Sequence, residues 1–140
     1  MFDMLKTLKL YLAKDATINQ YCKNRIRAYT IPETADRTDT NILIIPLIAP
    51  TPSTYASDKN LTTDYLYQID VRSKSYEETK LVSEAIRLVM KSIGFGQQDG
   101  TDEYDSELKA YFETRRYRGN PYTIDELRHI DKDIEPTLNT

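Results

Sequence analysis

The fold is decided by residues 62–93, TTDYLYQIDVRSKSYEETKLVSEAIRLVMKSI. Apolar and mostly polar side chains alternate over 62–72, as they do in a strand that buries one face and leaves the other wet. The apolar positions of this predicted strand are Tyr65, Tyr67, Ile69 and Val71. It is the clearest strand in the chain.

The same stretch continues directly into a helix. Residues 75–78, SYEE, form a capping box, because the Ser75 hydroxyl and the Glu78 carboxylate can each accept a hydrogen bond from a backbone amide that the first helical turn leaves free. Apolar residues then recur at helical spacing as far as Ile93, and Gly94 supplies a left-handed stop. We predict a long amphipathic helix with one wide apolar stripe.

Further elements are predicted on the N-terminal side. The spacing of apolar residues over 2–14 indicates an amphipathic helix, and 26–29 indicates a short strand. Residues 42–48 are rich in β-branched side chains and indicate a strand that either ends at Pro46 or lies at a sheet edge, since proline has no amide proton to donate. Residues 50–60, dominated by Pro, Ser, Thr, Asp and Asn, predict a long loop, and such loops are often functional.

The C-terminal side is predicted to add one strand. Residues 94–105 are rich in Gly and Asp and are expected to form a connection. Alternation over 107–117 then predicts the last strand. Residues 1–119 would make a single domain, and 120–140 an extension in which a third capping box can begin a short helix over 124–132.

The element order α-β-β-β-α-β predicts an α+β domain. Strands joined by short polar loops favour an antiparallel-rich sheet of about four strands, with two amphipathic helices packed on one face. The length of 140 residues fits one such domain, since domains most often have about 100–150 residues.

Composition argues against several classes of protein. The net charge of −3 at pH 7 argues against a DNA- or RNA-binding domain, which is usually strongly basic. No stretch approaches the roughly 18 apolar residues of a membrane span, and the N-terminus, MFDMLKTLKLYLAKD, lacks the apolar core of a signal peptide. Cys22 and His129 are the only Cys and His, whereas a structural zinc site needs about four such ligands. We therefore expect no metal and no membrane contact.

No catalytic motif stands out. The acids between Asp99 and Glu107 do not follow the spacing of a calcium loop, because the sixth position is Tyr104 instead of glycine. The glycines match neither dinucleotide nor P-loop spacing, and no G-x-S-x-G motif frames a serine. We expect no enzyme activity and no cofactor, although two acids that meet in space could still serve a hydrolase.

Tyrosine and arginine carry the remaining signal. The chain has 11 Tyr and no Trp, a bias that marks either a protein–protein interface or a partly wet core. At the end of the last predicted strand, alternation places Arg116 and Arg118 on one face and Arg115 and Tyr117 on the other. Such a strand end suits the acidic groups of a neighbouring protein or a phosphate.

Short strings in this order resemble a known family. They are RIRAY at 25–29, YQIDVRS at 67–73, the capped helix from 76 onward, and RRYR at 115–118. The chain resembles the tail-terminator and head–tail joining proteins of long-tailed phages, also called tail completion proteins, over residues 3–118.

The resemblance implies a structural virion protein that performs no chemistry. Members are α+β subunits that assemble as a ring, usually a hexamer, which caps the finished tail tube and docks it to the head connector. The implied partners are other copies of the chain, the tail-tube protein and the head connector or stopper protein. DNA would pass through the ring without sequence-specific binding, and assembly would take place in the cytoplasm of the bacterial host.

Two regions are predicted to make these contacts, the long loop and the end of the last strand. The residues are Thr51, Tyr55, Asp58 and Lys59 of the loop, and Arg115, Arg116, Tyr117 and Arg118 of the strand. The residues themselves leave two other functions open. A small adaptor or regulatory module predicts a monomer or dimer, and a small hydrolase with paired acids predicts a deep apolar pocket.

Overall fold

The structure, a computed structural model, describes residues 3–22, 25–31, 39–49, 51–52 and 63–119. The predicted extension over 120–140 lies outside them. Within the described residues the chain forms three helices and six strands. Their bounds are α1 Met4–Lys14, α2 Ala16–Cys22, β1 Ile26–Ala28, β2 Asn41–Pro46, β3 Thr51–Pro52, β4 Thr63–Ser73, α3 Tyr76–Ser92, β5 Phe95–Asp105 and β6 Ala110–Gly119.

The strands form a mixed sheet in the order β1-β2-β4-β6-β5, and β3 adds two residues beside the beginning of β4. β1 and β2 are parallel, whereas β4 is antiparallel to both β2 and β6, and β5 is antiparallel to β6. β4 and β5 are therefore parallel to each other, with β6 between them, and α3 connects them. The class is α+β, as predicted, but the sheet has more than four strands and one parallel pair.

β4 lies at the centre of the sheet. β2 pairs with it on one side over six positions, and β6 on the other side over nine. The side chains of Tyr67, Ile69 and Val71 are at most 4% exposed. The alternation predicted over 62–72 is confirmed, because every second side chain in this part of the strand enters the core.

One of the two hydrogen bonds of the predicted capping box is present at the start of α3. The Ser75 hydroxyl accepts a hydrogen bond from the Glu78 amide at 3.2 Å. The Glu78 carboxylate, instead of returning the bond, accepts one from the Thr40 hydroxyl at 2.9 Å. The Ser75 amide donates to Ser73 Oγ at 3.0 Å. The start of the helix is therefore tied to the end of β4 and to the residue that precedes β2.

One apolar core joins all three helices to one face of the sheet. α1 contributes Leu8 and Leu12, α2 contributes Ile18, and α3 contributes Ile86 and Met90, each at most 1% exposed. Burying one such side chain stabilises a fold by about 1.5–3 kcal/mol. The helices therefore cover the same face, and no described helix lies on the other.

The predicted connection over 94–105 is wrong, because Phe95–Asp105 forms strand β5. Every side chain from Gly96 to Tyr104 is exposed, so no apolar alternation marks the strand. Its pairing with β6 depends on backbone hydrogen bonds, and the register shifts between Gln97 and Gly100. An edge strand whose two faces are both exposed to solvent shows no apolar periodicity in its sequence.

Smaller corrections concern strand bounds and the number of helices. The last strand begins at Ala110 and not at residue 107, because Asp105 Oδ1 accepts hydrogen bonds from two backbone amides of the intervening turn. β2 ends at Pro46. Proline has no amide proton to donate to a neighbouring strand, and at the last residue of the strand this loss is tolerated. A third helix, α2, arises because Asp15 Oδ2 accepts a hydrogen bond from the Ile18 amide at 3.1 Å.

One position of β5 requires glycine. A Cβ at Gly100 would overlap the Thr114 carbonyl oxygen of β6, whereas a Cβ at Gly96 would meet no atom within 4 Å. We expect Gly100→Ala to lower the free energy of unfolding by about 1–3 kcal/mol through overpacking. Gly96→Ala is the matched control and should change it by less than about 0.5 kcal/mol. Urea unfolding measures both, and equal effects would contradict the described pairing of β5 with β6.

Candidate interaction surfaces

The hairpin of β5 and β6 carries the predicted strand-end residues and presents two different faces. Tyr117 is 1% exposed and belongs to the core under the helices. Arg115 lies on the same side and is only partly exposed, whereas Arg116 and Arg118 are exposed on the side away from the helices. The predicted alternation is confirmed, and it divides the four residues into two groups.

Arg115 is engaged within its own chain. Its Nη1 lies 2.7 Å from Asp102 Oδ1, and its Nη2 lies 2.8 Å from Glu113 Oε1. Lys80 of α3 reaches the same two acids, with its Nζ 3.2 Å from Asp102 Oδ2 and 3.1 Å from Glu113 Oε2. Two cations and two carboxylates thus join α3 to both strands of the hairpin.

The charges of this network stabilise one another. The hydrogen bond from Arg115, helped by Lys80, lowers the pKa of Asp102, and the hydrogen bond to Glu113 raises the pKa of Lys80. The Glu113 side chain is 6% exposed, compared with 52% for Asp102. Because a buried carboxylate is costly unless it is paired, Glu113 depends most on its partners.

Tyr117 is a core residue. Its hydroxyl has no hydrogen-bond partner among the described residues, and burial raises its pKa to about 12. The structure therefore places this predicted contact residue where a partner protein does not reach it.

The predicted contact loop falls largely outside the described residues. Thr51 begins β3, where its backbone pairs with Asp64. Tyr55, Asp58 and Lys59 lie outside the described residues. A contact role for this loop stays a prediction.

Sequence reasoning missed an aromatic cluster beside the charged network. Tyr111 of β6 lies between Tyr76 of α3 and Tyr104 of β5, with ring centroids 5.5 and 4.7 Å away. Tyr76 and Tyr104 are 56% and 53% exposed. Exposed rings that support each other are typical anchors of protein interfaces. The excess of tyrosine was the available signal, but it does not say which tyrosines meet.

The sheet face away from the helices carries a basic and apolar area at the end of β6. Arg118 lies opposite Leu66 of β4. Leu47 continues the area, because its amide donates to the Leu66 carbonyl at 2.9 Å and its side chain is 38% exposed. Within the described residues, Arg116 makes one long ionic contact, 3.9 Å from Asp99. The area therefore offers exposed cations beside apolar surface.

The other candidate residues that the structure describes form no site. Cys22 is fully buried, and burial raises the pKa of its thiol to about 12, as suits a residue that fills core space. In the part of the chain that the structure describes, no group of three Cys, His, Asp or Glu side chains could hold a metal ion. No described helix is long and apolar enough to span a bilayer. His129 lies outside the described residues.

Comparison with known proteins finds a similar fold. No family model matches the chain, and no curated protein matches its sequence. A chain in the solved structure of the virion of a native gene transfer agent (GTA) particle matches it with a TM-score of 0.57. The match covers 82% of this chain and 91% of that chain, at 11% sequence identity. The two chains therefore share a fold.

Neutralising Glu113 should weaken the fold. We expect Glu113→Gln to lower the free energy of unfolding by about 1–3 kcal/mol, because Arg115 and Lys80 lose a buried partner. Glu103→Gln neutralises an exposed acid of β5 and is the matched control, with an expected change below about 0.5 kcal/mol. Urea unfolding at pH 7 compares them, and equal midpoints would contradict a structural role for the network.

Asp102 should make the stability depend on pH. Because folding lowers its pKa, its ion pairs stabilise the fold above the pKa of an unfolded Asp, about 3.9, and this contribution is lost as the pH falls through the folded value. We expect Asp102→Asn to have a lower urea midpoint than the wild type at pH 7, and the difference to shrink between about pH 5 and pH 2. A difference that stays constant over this range would contradict the ionic origin.

Proposed function

We propose that this chain is a structural subunit of a phage-like virion, and specifically a tail-terminator or head–tail joining protein. The observation that carries the proposal is the fold shared with a chain of a gene transfer agent virion, over 82% of this chain and 91% of that one. High coverage of both chains means that whole domains correspond, and not a fragment common to many folds.

The sequence resemblance supports the same role independently. The string YQIDVRS at 67–73 lies in the central strand β4, and RRYR at 115–118 lies near the end of β6. The two strings are neighbours in the sheet, because Tyr67 pairs with Tyr117 and Ile69 with Arg115. Residues far apart in the sequence thus contribute to the same part of the domain.

In this role the subunit acts through protein contacts. Copies form a closed ring, which ends the tail tube on one side and meets the head connector on the other while DNA passes through the opening. The exposed tyrosines and strand-end arginines are of the residue types that protein interfaces favour. Thr51 of β3 and Tyr55, Asp58 and Lys59 of the predicted loop remain proposed contacts to the tube or the connector.

The mass of the assembled protein tests the ring. Six subunits of 16.3 kDa each give about 98 kDa. Multi-angle light scattering over a concentration series at low salt should reveal a closed species of this mass, and electron microscopy should show particles with a central opening.

Two other outcomes would contradict the proposal. One or two subunits at every concentration would contradict the ring and favour an adaptor module. A mass that grows without limit as the concentration rises would indicate an open filament, in which the rotation between copies does not close.

A further inference from the structure

The hairpin of β5 and β6 is strongly polarised in charge. Residues 95–109 contain five acids and one lysine, a net charge of −4, whereas the whole chain has a net charge of −3. All the other residues together therefore carry +1. Residues 120–140 add five acids and two cations, so it is within the residues that the structure describes that the negative charge is concentrated on β5 and the turn that follows it.

A shallow, open surface with acidic and aromatic side chains lies at the tip of this hairpin. This tip patch is a depression of about 520 Å³ lined by Glu103, Tyr104, Asp105, Ser106, Glu107 and Phe112. The Tyr104 ring packs against Tyr111 on the helix side of the hairpin, whereas Glu103 and Phe112 lie opposite each other on the other side. Phe112 already lies beside one guanidinium, because Arg72 Cζ is 5.4 Å from its ring centroid. Aromatic rings rimmed by carboxylates suit a guanidinium group.

Two carboxylates of the tip patch have no cationic partner within the described residues. The third carboxylate of the patch, Asp105, is engaged, because its Oδ1 accepts hydrogen bonds from the Glu107 and Leu108 amides. Glu103 and Glu107 take part in none of the ion pairs that join described residues. These two side chains are therefore available to a cation from outside the subunit.

The other end of the hairpin carries a surface of opposite charge. This base patch consists of Arg116, Arg118, Leu47 and Leu66, and the Arg116 side chain is 50% exposed. Phe112 of the tip patch and Arg116 of the base patch are four residues apart along β6, roughly 14 Å at about 3.4 Å per residue. The tip patch and the base patch of one molecule are therefore too far apart to contact each other.

We propose that the tip patch of one copy receives Arg116 and Arg118 of the base patch of a second copy. Their guanidinium groups pair with the unpartnered Glu103 and Glu107 carboxylates beside the Phe112 ring. The inference rests on the proposed function. A contact between two different surfaces of the same chain is heterologous, and it generates a ring when the rotation between copies closes.

Arginine is the cation that fits the tip patch. A planar guanidinium matches both ring faces and carboxylates, whereas the exposed Lys6 and Lys9 of α1 are compact point charges. Arg115 is already paired with acids of its own chain. Arg116 and Arg118 are exposed and lie beside apolar surface, and each copy carries one base patch for its one tip patch.

Charge reversal tests the contact. A tip variant carries Glu103→Lys and Glu107→Lys, and a base variant carries Arg116→Glu and Arg118→Glu. Each variant alone has like charges on both patches, so we expect its dissociation constant for self-association to rise at least about tenfold. An equimolar mixture should assemble again. The basic tip patch of the tip variant then meets the acidic base patch of the base variant, and the acidic tip patch of the base variant meets the basic base patch of the tip variant.

The composition of the mixed assembly is diagnostic. Tip-to-base contacts force the two variants to alternate, so native mass spectrometry should find equal numbers of each and even totals. The control variant carries Glu77→Lys and Glu84→Lys on the exposed face of α3. It changes the net charge by the same amount as the tip variant and should keep the wild-type mass.

The outcomes separate this inference from the proposed function. Rings that persist in both variants would overturn the contact and leave the ring proposal standing. Two folded variants, by circular dichroism, that stay apart when mixed would also overturn it, as would a control that loses the ring as readily as the tip variant. A wild-type chain that does not associate at low salt would overturn both proposals.

Discussion

The pairing of β4 with β6 is the interaction on which the rest of this structure depends. β4 is held on both sides, by β2 and β6, and every second side chain from Tyr67 to Val71 is buried. Because Ser73 and Thr40 tie the start of α3 to the end of this strand, the helix folds back over the same face. A sheet covered in this way has one face for the core and another for water or partners.

The same pairing fixes the hairpin, although β5 has almost no core of its own. Phe95 is the one buried residue of that strand. Its other contacts include backbone hydrogen bonds to β6, the ring contact of Tyr104 with Tyr111, and the ion pairs that join Asp102, Arg115, Glu113 and Lys80. The charged network thus supplies at the sheet edge the tertiary contacts that apolar burial supplies at the centre.

The elements that the sequence predicts well are those in which burial imposes a period. The alternation in β4 and the apolar stripe of α3 are visible because one side of each element enters the core. β5 is not visible, since all side chains from Gly96 to Tyr104 are exposed. Alternation also predicts that Arg116 and Tyr117 lie on opposite faces, but which face is covered depends on where α3 lies. The tyrosine cluster depends in addition on the register of β6.

The acidic side chains of β5 protect a long edge strand from pairing with other molecules. A free edge invites pairing with the same edge of another molecule, and charged residues and bulges are the usual protection. Asp99, Asp102 and Glu103 and the register shift at Gln97 make two such edges repel each other and fit poorly. The same charge disfavours a dimer in which two tips meet. Among identical copies, electrostatics therefore favours contact between an acidic tip and a basic base, which is the asymmetric contact that a ring requires.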